Sequence, residues 1–276
     1  MRIPKEKICL YTPVVFGDKT MRTTISEAAR LDVGGVELMN FCQELTTPDI
    51  AAARELADMA RSFGLKLPCF SVAADILTDP DGSVKKIKAY TDICAELGIP
   101  LLHHTVASDF TAWDIDDTER ECRFEFCAGY ALELAEYANS VGVRTVIEDQ
   151  GFVFNGVKNC ARLCELSGER IGIVGDSGNI MFFDEKPADF IRAMGQRVVH
   201  AHLKDYLIKK TPTDGVKCYR TRLSNYLTEV GLGDGSADID DVLQAFADIG
   251  YDGMYSLEYS RDSDCDVETM LDYLTK

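Results

Sequence analysis

Val143-Arg-Thr-Val-Ile-Glu148 and Ile171-Gly-Ile-Val-Gly-Asp176 are two short β-rich runs, each closed by a carboxylate, with the helical stretch Val157 to Leu166 between them. A strand, a helix and a second strand in that order read as one parallel unit with a crossover helix. The pattern extends in both directions. Val198-Val-His-Ala-His202 and Met254-Tyr-Ser-Leu-Glu258 also end on polar groups, and further runs begin near Ile8, Gly35, Leu65 and Ile99. Helical stretches separate them, including Asp49 to Phe63, Ser83 to Leu97, Thr118 to Ser140 and Ala188 to Met194. Several stop at a glycine (Gly64, Gly98, Gly142, Gly250), as a helix C-terminus favours. Eight strand–helix units with no Gly-rich fingerprint after the first strand favour a closed α/β barrel, a (β/α)8 TIM barrel, over an open doubly wound sheet. With 276 residues and 46% hydrophobic content, the chain suits one barrel domain spanning 1–276.

The formal net charge of −17, from 29 Lys and Arg against 46 Asp and Glu, repels a phosphodiester backbone over most of the surface. Nucleic acid is therefore not an expected partner. Met1 to Lys7 runs into the apolar stretch Ile8 to Tyr11 without the core of a secretory signal, and no apolar run is long enough to span a membrane. The expectation is a cytoplasmic protein without membrane association. Ten cysteines with no C-x-x-C pair fit reduced thiols better than a disulfide framework or a cysteine zinc site.

In a barrel of this kind the reactive groups sit at the C-terminal strand ends. Glu148, Asp176, His202 and Glu258 all fall there, a set of three carboxylates and one imidazole. Carboxylates converging at a barrel mouth are costly unless a cation or a hydrogen-bond network compensates them. A metal site follows, with pairing of Glu148 or Glu258 to Lys204 or an arginine as the plainer alternative. Oxygen-rich ligation with one imidazole suits Mn²⁺ or Mg²⁺, with Co²⁺ or Zn²⁺ on affinity grounds. Period-two alternation places His200, His202 and Lys204 on the inner face of the seventh strand and Val199, Ala201 and Leu203 against the helices.

Several motifs in this order resemble the sugar phosphate isomerase/epimerase superfamily, the xylose isomerase-like barrels that include AP endonucleases. They are Gly34-Gly-Val-Glu-Leu38, Val146-Ile-Glu-Asp149, Gly175-Asp-Ser-Gly-Asn179, His200-Ala-His-Leu-Lys-Asp205 and the C-terminal stretch from Gly231 through Gly250-Tyr-Asp-Gly253 to Ser256-Leu-Glu258. The resemblance covers essentially the whole chain. It implies one divalent metal held by Glu148, Asp176, His202 and Glu258, with Glu148 and Glu258 also catalytic as acid and base. The implied reaction is isomerisation or epimerisation of a sugar or sugar phosphate through a metal-bound cis-enediolate. The alternative within the superfamily is a lyase: inosose dehydratase, dehydroshikimate dehydratase, or a subunit cleaving a carbon glycoside of an oxidised sugar. A third reading is a non-catalytic sugar-binding barrel, against which the retention of both glutamates speaks. Four histidines are too few for the multinuclear centre of AP endonucleases. The partner expected is a small carbohydrate, and barrels of this class commonly form homo-oligomers.

Around the four ligands, Glu37 faces inward if Val36 and Leu38 pack outward, either as a partner of a substrate hydroxyl or paired with a base on a neighbouring strand. A strand can aim only one of the adjacent His103 and His104 inward, and His104, nearer the strand end, is the expected one. Asn179 stands where many relatives have a histidine and suits a substrate hydroxyl better than a metal. Lys204 either polarises a substrate oxygen or neutralises the carboxylates. Two segments break the rhythm and read as loops walling the site: Ala107 to Thr118 with Trp113, and Tyr206 to Ser236. Arg220, with Lys217 and Arg222 in the second, is the candidate anchor for a substrate phosphate or carboxylate.

Overall fold

The computed structural model of the protein describes residues 2–11, 20–107, 116–151, 154–167, 170–259 and 266–276, so Trp113 and Cys265 lie outside the described residues. Its strands are β1 (Ile8–Leu10), β2 (Gly35–Val36), β3 (Leu38–Met39), β4 (Cys69–Val72), β5 (Leu101–His104), β6 (Arg144–Ile147), β7 (Ile171–Asp176), β8 (Val198–Leu203), β9 (Asp205–Lys209), β10 (Tyr219–Arg220), β11 (Tyr226–Val230) and β12 (Tyr255–Leu257). The helices are α1 (Met21–Arg30), α2 (Ile50–Ser62), α3 (Pro80–Leu97), α4 (Asp117–Ser140), α5 (Val157–Ser167), α6 (Pro187–Met194), α7 (Ile239–Asp248) and α8 (Val267–Thr275). Aspartates begin five of them: Asp49, Asp79, Asp116, Asp238 and Asp266 accept from first-turn N–H groups of α2, α3, α4, α7 and α8.

Nine strand segments make one sheet, ordered β2-β1-β12-β8-β7-β6-β5-β4-β3, with every pairing parallel. Its two ends, β2 and β3, are halves of one strand split at Glu37. The Glu37 N–H donates to Leu10 O on one side (3.0 Å), while Val36 N–H donates to Lys66 O (3.0 Å) and Asn40 N–H to Ser71 O (2.9 Å) on the other. The ring therefore closes across Glu37, and the fold is an eight-stranded TIM barrel with its helices outside.

Two details differ from the sequence reading. The third strand starts at Cys69 rather than near Leu65: Lys66 makes only an isolated bridge to Gly35, and Pro68, lacking an N–H, keeps the ladder from forming before Cys69. On β8 the alternation holds from His200 onward but not at Val199. A register shift against Ile173 and Val174 moves Val199 inward, where it packs with Cys69, Val146 and Val174.

The segment after β8 is no bare loop. β9, β10 and β11 form a three-stranded antiparallel sheet. Asp184, with a left-handed φ of 59°, pins it by accepting from Thr221 Oγ1 (2.8 Å), Leu223 N–H (2.7 Å) and Asn225 Nδ2 (2.6 Å). Asp205 gathers the glycine-rich turn beyond it through the N–H groups of Gly233, Gly235 and Ala237 (3.0–3.1 Å). Nine cysteines are described and none is in a disulfide. Among the described residues no helix is long and apolar enough to cross a membrane.

Candidate metal and catalytic centre

Neighbouring strand ends bring the four expected ligands together. Asp176 on β7 pairs in register with His202 on β8, and His202 with Ser256 on β12, so Glu148 and Glu258 follow strands that flank the β7–β8 pair. From His202 Nδ1, Glu258 Oε2 lies at 3.4 Å, Glu148 Oε2 at 3.5 Å and Asp176 Oδ2 at 3.9 Å. Ligand atoms of Glu148, Asp176 and His202 all lie within 4.8 Å of one another. The Gly178 and Asn179 N–H groups occupy Asp176 Oδ1 at 2.7 Å each, which leaves Oδ2 to face the cluster. Lys204 Nζ stands 3.1 Å from Asp176 Oδ2 and from Glu258 Oε2, placed for ion pairs but not angled for hydrogen bonds.

His202 Nδ1, Asp176 Oδ2 and Glu258 Oε2 are buried without a hydrogen-bond partner among the described residues. Buried polar atoms are normally satisfied, so three orphans aimed at one space point to a ligand. One imidazole and three carboxylates make a donor set that fits a divalent cation.

The charge balance agrees. Burial alone would lower the His202 imidazole, yet Glu37, Glu148 and Glu258 outweigh it and hold it well above its ordinary value. Lys204 is likewise disfavoured by burial but raised by Asp176 and Glu258. Burial works against the Glu148 and Glu258 carboxylates, but His103 for the first and Lys204 for the second bring them below the usual range. Asp176 is left raised: burial pushes it up, Lys204 only partly offsets that, and Glu258 and Glu148 add to the rise. The cluster thus holds more negative charge than its own cations neutralise.

A cavity of about 480 Å³ opens over this cluster, with Tyr11, Phe41, His103, Glu148, Gln150 and Glu258 among its lining. That size is ordinary for a small-molecule pocket. Tyr11 also stacks on the His202 ring, centroids 4.5 Å apart and planes 25° from parallel.

The remaining expected residues are placed as follows. His103, not His104, faces the site: its Nδ1 is 2.8 Å from Ser71 Oγ and its Nε2 3.5 Å from Glu148 Oε1. His104 is corrected to the outer side, fully buried with Nδ1 3.2 Å from Thr105 O, because alternation sends adjacent side chains to opposite faces. Glu37 faces inward but lies beneath His202, fully buried and outside the cavity lining, so it is not placed to meet a substrate hydroxyl. Asn179 is buried beside Asp176, with its side-chain nitrogen unpartnered among the described residues. Arg220 is corrected too. It is exposed on β10, donates to Ser224 Oγ (2.8 Å), and does not line the cavity. Sequence reasoning missed Tyr11 and Ser71, and it weighed His103 but preferred His104. Tyr11 follows the apolar run of β1, so the strand-end rule that found Glu148 would have found it.

Residues 25–276 match the family described as xylose isomerase-like TIM barrel. The chain belongs to this family. This xylose isomerase-like barrel is similar to the rhizopine catabolism protein MocC of Rhizobium meliloti, 27% identical over 263 residues, which cover 91% of this chain and 78% of MocC. Among solved structures it resembles the IolI protein with a bound zinc atom, at 15% identity and a TM-score of 0.74 over 97% of this chain and 95% of that one. It also resembles the Escherichia coli 3-keto-D-glucoside 4-epimerase YcjR, at 13% identity and a TM-score of 0.72, covering 97% of each chain. At such identities the two structures speak for the fold alone.

Proposed function

We propose that the protein is a divalent-metal-dependent sugar isomerase or epimerase that moves a proton at the carbon beside a substrate carbonyl. One observation carries the reading: Glu148 and Glu258, which flank the Asp176–His202 pair, are the two carboxylates of the cluster that also line the cavity. Glu148, Asp176, His202 and Glu258 would hold the cation, Mn²⁺ or Mg²⁺ by donor type, with Zn²⁺ or Co²⁺ also compatible. Bound there, a dication supplies Lewis-acid polarisation of a carbonyl oxygen and stabilises the negative charge that develops on it.

The chain's own groups do the proton transfer. Glu148, kept ionised mainly by His103, is ready to accept a proton from the carbon, and Glu258 beside Lys204, once it has taken a proton from solvent in the cavity it lines, returns one from the other flank. Each carboxylate has its own base nearby, which lets the two exchange roles between forward and reverse reactions. Tyr11 and Phe41, edge to face at 6.3 Å, offer an apolar wall to the C–H face of a sugar. The described lining has one cationic side chain, Lys86, whose Nζ donates to Ala73 O, against the carboxylates of Asp75, Glu148 and Glu258. That balance favours an unphosphorylated substrate over a sugar phosphate.

The test is metal analysis followed by incubation with ketoses, ketose phosphates and inososes in D2O. Deuterium uptake at unchanged molecular formula, dependent on metal, is expected. Loss of water would assign the lyase reading instead. Failure to bind any divalent metal overturns the proposal.

A further inference from the structure

Glu37 sits in the break between β2 and β3 and carries a fully buried carboxylate. Ser71 Oγ of β4 donates to its Oε1. Its Oε2 meets Ser256 Oγ of β12 at 2.7 Å, His200 Nε2 at 2.8 Å and His202 Nε2 at 3.3 Å.

Both serine hydroxyls donate to this carboxylate, so it stands in the network as an acceptor. The His202 nitrogen facing it must therefore carry a proton, so in the neutral ring the lone pair is on Nδ1, the atom directed at Glu148, Asp176 and Glu258. The hydrogen-bond direction propagates further. With the Ser71 proton committed to Glu37, Ser71 Oγ is an acceptor for His103, which fixes a proton on Nδ1 of that ring while Nε2 faces Glu148. Ring contacts oppose reorientation: Tyr11 stacks on His202, while His200 (5.1 Å, 82°) and His103 (5.3 Å, 85°) meet it edge-on.

We propose that Glu37 is the positioning residue of the centre, selecting the Nε2–H tautomer of His202 directly and keeping a proton on Nδ1 of His103 through Ser71. This rests on the metal-site reading above. Glu37 touches no substrate in this scheme; it acts through the two imidazoles. A hydrogen bond to the second nitrogen of a ligating imidazole fixes its orientation and raises its basicity, and losing such a partner typically costs about 10–100-fold in metal affinity.

The experiment uses the full chain with Zn²⁺, a diamagnetic probe. Titration calorimetry of native protein, Glu37→Met and Glu37→Gln is paired with ¹⁵N–¹H correlation spectra of the imidazoles in the zinc-loaded native protein. Glu37→Met, which removes both acceptor oxygens at similar volume, should lose about 10–100-fold in zinc affinity. Glu37→Gln, which keeps one oxygen, should lose less. Ser256→Ala removes a donor to Glu37 but leaves both histidine contacts, and should stay near native affinity. The native spectrum should show His202 protonated on Nε2 and His103 on Nδ1. The opposite tautomer at His202 overturns the inference even if the Glu37→Met variant does not fold. So does native affinity in a folded Glu37→Met protein. Absence of zinc binding in the native protein is a different failure, that of the metal-site reading itself.

Discussion

Lys204 is the cation shared by Asp176 and Glu258, with Nζ 3.1 Å from an oxygen of each and only 7% of its side chain exposed. Lys204→Met keeps most of the stem and removes the charge. Asp176, fully buried, would then retain two backbone hydrogen bonds on one oxygen and His202 at 3.9 Å from the other. Removing one partner of a buried ion pair costs about 3–5 kcal/mol. At about 2–4 °C per kcal/mol for a chain of this size, the melting temperature in a chelator should fall by about 6–20 °C. A divalent cation returns positive charge to the same oxygens, so saturating Mn²⁺ should reduce the loss to less than half. By linkage the variant then gains more from the metal than the native protein does, and so binds it more tightly. Thermal unfolding followed by circular dichroism, with EDTA and with Mn²⁺, measures all four values. Equal losses in the two conditions would refute the argument that Lys204 and the metal neutralise the same carboxylates.

Glu148→Gln and Glu258→Gln each keep the carboxamide shape but lose the base. Each should lower turnover by about 10²–10⁴-fold, and in D2O each should keep proton exchange from one epimer while losing it from the other; loss of exchange from neither would count against the two-base scheme. Burial lowers His104 from 6.5 to about 4, with Thr105 O opposing only in part. The unfolded chain therefore binds a proton between those values that the folded chain does not. Stability is fully present above about pH 6.5 and is lost as pH falls toward about 4, by about 3 kcal/mol at 1.36 kcal/mol per pH unit. Urea unfolding at several pH values should show a shallower acid limb for His104→Leu, and an unchanged limb would contradict this. Asp205→Ala strips the acceptor from Gly233, Gly235 and Ala237. It should cost about 1–3 kcal/mol and raise proteolysis within 231–237; native resistance there would show that the turn holds without it.

What was legible in the sequence is what local geometry dictates. Alternation along a strand and the rule of polar strand ends need only adjacent residues, and together they suffice to place Glu148, Asp176, His202 and Glu258 at one end of the barrel. They also put Lys204 on the inner face with His200 and His202. Alternation failed at Val199, where a bulge adds a residue, and a bulge is set by the partner strand β7 rather than by β8 itself. It could say that His103 and His104 face opposite ways but not which faces in. The strand's placement in the sheet decides that, setting His103 in register with Ser71 of β4, whose Oγ lies 2.8 Å from His103 Nδ1. Arg220 misled for a related reason. A cluster of bases after the seventh barrel strand reads as an anion site, whereas the segment folds into its own antiparallel sheet, with the Arg220 guanidinium on Ser224 and Lys217 Nζ 5.3 Å from the Tyr219 ring centroid.

Glu37 is the hardest case and the most instructive. As one acidic residue between apolar neighbours it matches the period-two pattern of an inward-facing strand residue, and it does face inward. Its role is set by Ser71, His200, His202 and Ser256, which come from three other strands and meet it only because the ring closes at that point. The backbone alternates there as in any interior strand, Val36 N–H toward Lys66 O and Glu37 N–H toward Leu10 O of β1. The Glu37 carboxylate, accepting from Ser71 of β4 and Ser256 of β12, ties strands on both sides of the closure beneath His202. A substitution there should disturb barrel closure and cation binding together, whereas Glu148→Gln, beyond the end of β6, should disturb only the second. Comparing apo-protein stability and zinc affinity across the two variants separates those effects, and equal apo destabilisation by both would break the link between closure and site.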